Sequence, residues 1–108
     1  MKMNWQNIRE KYPKAYKILE DNSDYFAALR LGVRGFDKRF LYDFFDEQGI
    51  YVNVMRWAET EAYFGLEVWS YRIIIGKGEF VTSEETYDSR TLAETEAFTK
   101  AFEILETK

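Results

Sequence analysis

Residues 68–75, VWSYRIII, are the stretch that most constrains how this chain can fold. Valine, isoleucine, tyrosine and tryptophan favour strands, and a strand points successive side chains to opposite faces of a sheet. Both alternating sets here are rich in apolar side chains, and the stretch ends in three consecutive isoleucines. A sheet that contains this strand therefore needs cover on both faces, whereas a single packed helix covers only one.

The segments around this stretch predict an antiparallel sheet. Apolar and polar residues alternate over 50–57 and again over 79–87, while residues 63–75 read as one long strand. The Gly-Lys-Gly sequence at 76–78 is a strong turn signal between two strands. Three strands with short connections predict a three-stranded antiparallel β-meander.

Helices are predicted on both sides of the strands. Asn4 is a candidate N-cap for a first helix, which Pro13 is expected to divide in two. Residues 38–48 are predicted to be helical, with Gly49 as a left-handed C-cap. Ser89 is a candidate N-cap for the last helix. Thr91 with Glu94 forms a candidate capping box that would start the helix two residues later. A narrow seam on that helix predicts close approach to the sheet: Ala93, Ala97, Ala101 and Leu105.

Length and composition place these elements in a single α+β domain spanning residues 1–108. Its order is N-terminal helices, a three-stranded antiparallel meander and a C-terminal helix packed on the sheet, an α-β-β-β-α core. The chain has 108 residues, 46% of them apolar, which is enough to bury a core. It has no cysteine, no apolar run of membrane length and a polar N-terminus. We therefore expect a cytoplasmic protein without disulfides or a membrane span.

The absence of histidine and cysteine excludes several chemistries. A Ser-His-Asp or Cys-His nucleophile and a zinc site of the usual type cannot be built. Paired acids occur at Glu59 and Glu61 and at Glu84 and Glu85, and such pairs can serve glycosidases or hard cations. Solvated surface acids are the more common explanation. We predict a non-catalytic protein without a metal or cofactor, and leave a small enzyme using Asp or Glu as a third hypothesis.

The aromatic content predicts an interaction surface. Aromatic side chains make up 19% of the chain, more than a core of this size needs. The second face of the sheet is expected to be covered by the N-terminal helices, most of all at Ile73–Ile75, or by another chain. We predict that Trp57, Trp69 and Tyr71 are the exposed rings of that face and bind a protein partner. A symmetric homodimer would also meet this need.

The charge distribution supports an alternative function. Residues 1–40 contain nine basic and five acidic side chains, a net charge of +4. Residues 41–108 contain six basic and fourteen acidic side chains, a net charge of −8. The basic third, interleaved with tyrosines, could bind single-stranded nucleic acid. The residues that would do so are Lys11, Lys14, Lys17, Arg34, Lys38 and Arg39. Solvated lysines beside core aromatics are the simpler interpretation.

Two family resemblances bear on these hypotheses. Over about the last seventy residues, the order of elements resembles the double-stranded RNA-binding domain, whose last helix begins with basic residues that grip phosphates. Here the matching stretch SRTLAETEA supplies only Arg90, and the acidic stretch AETEA replaces the histidine-bearing loop that the family has between its first two strands. Both departures oppose RNA binding, because phosphate contacts dominate such affinity. LYDFFDEQGIYVNV and DSRTLAETEAFTKAFEILE also resemble short uncharacterised proteins of phages and mobile elements of gut bacteria. That resemblance implies no particular activity.

Overall fold

The structure, a computed structural model, describes residues 3–22, 39–56, 68–76 and 78–108. It is an α+β fold, as predicted. The described elements are α1 (Trp5–Lys11), α2 (Pro13–Asn22), α3 (Arg39–Glu47), β1 (Ile50–Arg56), β2 (Trp69–Ile75), β3 (Glu79–Thr82) and α4 (Arg90–Thr107). The predicted strand residues 63–67 and Trp57 lie outside the described residues.

The three described strands form the predicted antiparallel meander in the order β1-β2-β3. Val52 pairs with Ile73, and Ile73 pairs with Val81 on the next strand. Gly76 and Gly78 have φ values of 61° and 86°. Those left-handed conformations favour glycine, which explains why this turn was recognisable from the sequence.

The third strand is shorter than predicted, because its ladder is interrupted at Ser83. The Ser83 backbone N–H donates to the Tyr71 carbonyl over 3.0 Å, but the Tyr71 N–H donates to the Ser83 hydroxyl instead of a backbone carbonyl. A serine side chain that replaces a backbone acceptor in this way competes with the sheet ladder. The chain bends at Glu84 and Glu85 and returns to β2 at Tyr87, whose backbone exchanges two hydrogen bonds with Trp69.

Local caps define the helix ends. Asn4 accepts a hydrogen bond from the Asn7 N–H at the start of α1, and Ser89 accepts one from the Leu92 N–H at the start of α4. Gly49 follows α3 with a φ of 76°. These three predictions are confirmed. The Thr91 and Glu94 capping box is not the observed arrangement, since Ser89 caps the helix and Glu94 lies buried inside the fold.

Helix α2 is capped by a residue from the far end of the chain. Pro13 occupies its first position and has no N–H to satisfy. The next two N–H groups, of Lys14 and Ala15, donate to the two Glu106 carboxylate oxygens over 3.3 and 2.7 Å. A carboxylate is favourable here because a helix N-terminus carries partial positive charge. The last turn of α4 is thereby joined to the first turn of α2.

The core lies between one face of the sheet and helices α3 and α4, and α2 packs against α4. Its centre is a cluster of rings in which Phe45 of α3 contacts Phe98 and Phe102 of α4, with ring centroids 6.0 and 4.9 Å apart. The predicted alanine seam of α4 is buried. Small side chains let this helix approach the strands closely, and so the seam serves packing rather than binding.

One prediction about the sheet is wrong. At the Ile73–Ile75 end of β2, the second face of the sheet was expected to be covered by the N-terminal helices, but Tyr51 and Phe80, which flank Ile74 there, are 46% and 61% exposed. Ile73 and Ile75 lie in register with Val52 and Ile50, on the face that α4 covers. Ile73 belongs to the core and Ile75 packs against it. Strand alternation then places Ile74 on the opposite face.

Candidate interaction surface

The outer face of the sheet, turned away from α4, carries an apolar row across all three strands. Tyr51 pairs with Ile74, and Ile74 pairs with Phe80, so the three side chains stand side by side. Phe80 is 61% exposed, Tyr51 is 46% exposed and Ile74 is half-buried. We call these three residues the outer row. A contiguous apolar row on an open sheet face is typical of an interaction surface.

Polar and charged side chains border the outer row. Arg72 follows in the next cross-strand row, between Asn53 and Thr82, and its guanidinium lies 5.2 Å from the centroid of the Phe80 ring. That distance is within the range of a cation–π contact. Beyond it, a shallow cleft of about 280 Å³ is lined by Arg72, hydroxyl side chains and the acidic pair Glu84 and Glu85. The outer face therefore presents both signs of charge beside an apolar centre.

Of the three residues predicted from the sequence, neither Tyr71 nor Trp69 belongs to this surface. Tyr71 is only 8% exposed and faces the core, so the prediction that its ring is exposed is wrong. Trp69 is half-buried on the same strand, and Trp57 lies outside the described residues. Tyr71 is buried because it pairs with Val54, and this pair lies on the face of the sheet that the helices cover. Tyr51 and Phe80 were missed, although strand alternation would have indicated both once the helix-covered face was known.

The predicted basic residues that fall in the described segments are all exposed. Lys11, Lys14, Lys17 and Arg39 are exposed, and Arg34 and Lys38 lie outside the described residues. The Lys14 ammonium donates to the Lys108 carbonyl over 3.0 Å. Residues 3–22 carry four basic and three acidic side chains. Nucleic-acid binding stays a prediction, and these helices do not supply the concentrated positive charge that favours it.

Of the two acidic pairs, Glu84 and Glu85 lie in the described segments. Glu59 and Glu61 lie outside the described residues, while Glu84 and Glu85 are exposed in the bend after β3. Within the described ranges, no group of three or more acidic side chains is placed to hold a metal ion.

A buried carboxylate joins α3 to α4. Glu94 is 0% exposed, and the Tyr42 hydroxyl donates a hydrogen bond of 2.8 Å to it. The half-exposed Arg90 guanidinium approaches the same carboxylate to 3.9 Å. Burial and then the adjacent Glu94 raise the pKa of the Tyr42 phenol, so the donor stays protonated at ordinary pH. This pair tethers two helices, and its depth in the fold suits structure rather than chemistry.

A second cleft, of about 340 Å³, opens on the helix side of the sheet, between the bend after β3 and α4. Tyr71 and Tyr87 stack along it with ring centroids 6.2 Å apart and an interplanar angle of 17°. Burial, then the neighbouring Tyr87 and Glu96, raises the pKa of the Tyr71 phenol to about 12. The same causes, burial first and then Glu96, raise the pKa of Tyr87.

This shift makes folding sensitive to strongly alkaline pH. The unfolded chain loses its tyrosine protons near pH 10, whereas folded Tyr71 keeps its proton until about pH 12. The contribution of this phenol to stability is therefore complete below pH 10 and is lost as the pH rises to about 12. We expect urea unfolding to show the wild type losing more stability over that interval than Tyr71→Phe does. Tyr51→Phe, at an exposed position, is the control, and equal losses in all three proteins would contradict the assignment.

The chain was compared with protein-family models, curated proteins and solved structures, and none of the three comparisons gave a match. No helix in the described segments is both long and apolar enough to cross a membrane. The geometry of the two faces of the sheet is therefore the basis for a functional inference.

Proposed function

We propose that this chain is a small non-catalytic interaction protein that docks through the outer face of its sheet, and that its partner is a second copy of itself. The observation that carries the proposal is the outer row, in which two exposed aromatic rings flank an isoleucine across three strands. Tyrosine and phenylalanine are enriched at the centres of protein interfaces.

The symmetry of the outer row favours self-association. A face-to-face dimer has a two-fold axis lying between the two sheets, and the same patch must then be complementary to itself. With Ile74 on that axis, each aromatic ring of one protomer meets an aromatic ring of the other. Arg72 and the Glu84 and Glu85 pair border the same face, so each protomer also offers both members of an ion pair. This charge arrangement suits two identical surfaces.

The size of the face sets the expected strength. Three strands spaced about 4.8 Å apart and up to seven residues long, at about 3.3 Å per residue, present only a few hundred Å². A standard interface buries about 800 Å² per partner. We therefore expect a weak, reversible dimer.

The test is sedimentation equilibrium from micromolar to millimolar protein at about 0.15 M salt, where repulsion between chains of net charge −4 is screened. The wild type is expected to show a monomer–dimer equilibrium. The double variant Tyr51→Ser with Phe80→Ser should weaken the dimer at least tenfold. Leu92→Ser is the matched control, because Leu92 is 52% exposed but lies on α4, away from the outer row.

Thermal unfolding followed by circular dichroism checks that the double variant is folded. A wild type that stays monomeric at millimolar concentration overturns the proposed self-association. Equal weakening by Leu92→Ser and by the double variant would also count against the outer row. Replacing Tyr71 instead is unsuitable, since its ring is part of the core.

Two further parts of the proposal are supported by the sequence. The absence of cysteine supports a cytoplasmic location, and the resemblance to short phage and mobile-element proteins supports an accessory role of that origin. Nucleic-acid binding through the basic N-terminal third is the alternative. It predicts a salt-dependent gel shift with a single-stranded oligonucleotide, and a flat titration at low salt would remove it.

A further inference from the structure

We draw no further inference here: the strongest candidate, the cleft between the bend after β3 and α4, is an exposed cluster of acidic side chains beside Tyr71 and Tyr87, and it carries no proposal because no buried side-chain oxygen or nitrogen among the described residues lacks a hydrogen-bond partner that a ligand could supply.

Discussion

Replacing Phe45 by alanine is expected to lower the free energy of unfolding by about 3–5 kcal/mol, the usual loss for a large aromatic in a packed core. Phe45 is fully buried and contacts rings on two helices: Phe44 beside it, and Phe98 and Phe102 on α4. Its removal leaves a void between α3 and α4 that rigid neighbouring rings cannot fill. Urea unfolding followed by circular dichroism measures the loss.

The control for this prediction is the same substitution at an exposed site. Phe80→Ala is expected to cost at most about 1 kcal/mol, because the ring is largely in water and surface substitutions have small effects. Whole domains are stable by only about 5–15 kcal/mol, so Phe45→Ala could unfold the protein. Phe45→Leu keeps much of the volume and should give a measurable, smaller loss. Equal losses for Phe45→Ala and Phe80→Ala would contradict the position of the core.

The second large effect is expected at the buried carboxylate. Tyr42→Phe should destabilise the fold by about 1.5–3 kcal/mol, the range for a hydrogen bond to a charged group. The substitution removes only the hydroxyl that donates to Glu94 and leaves the ring packed on Phe98, 4.9 Å between centroids. The carboxylate then stays buried with one donor fewer, which is the costly outcome.

A double-mutant cycle isolates this interaction from the other contacts of both residues. In a Glu94→Leu background no carboxylate remains, so adding Tyr42→Phe should cost about 0.5 kcal/mol or less. The coupling energy measured by urea unfolding is then the value of the hydrogen bond. Purely additive effects would show that the 2.8 Å contact does not stabilise the protein.

What the sequence predicts well in this protein is local. The Asn4 and Ser89 caps, the turn glycines and the order of the described helices and strands each depend on residues a few positions apart, and the structure confirms them. The faces of the sheet are not local. Whether Tyr71 or Ile74 points to the helices depends on where α4 lies, and periodicity alone leaves that choice open.

The hydrogen bond between Tyr42 and the buried Glu94 also could not be predicted from local sequence patterns. Glu94 fits a capping box within its own helix, and its observed partner, Tyr42, is 52 positions away. A carboxylate in an amphipathic helix normally indicates the solvent side, so nothing in the local pattern indicated its burial. The outer row needed the register of the strands, which places Ile74 between Tyr51 and Phe80.

The cap that Glu106 supplies to α2 has a consequence for how the protein opens. The Ala15 amide is held by a carboxylate 91 positions away, and the Lys108 ammonium also donates to the Gln48 carbonyl. Both contacts break if α4 detaches at its C-terminal end, so α2 and the turn before β1 would lose these contacts together. The Ala15 amide proton lies in the first turn of a surface helix, where such protons usually exchange with water by fraying, and the Glu106 cap is expected to slow that exchange.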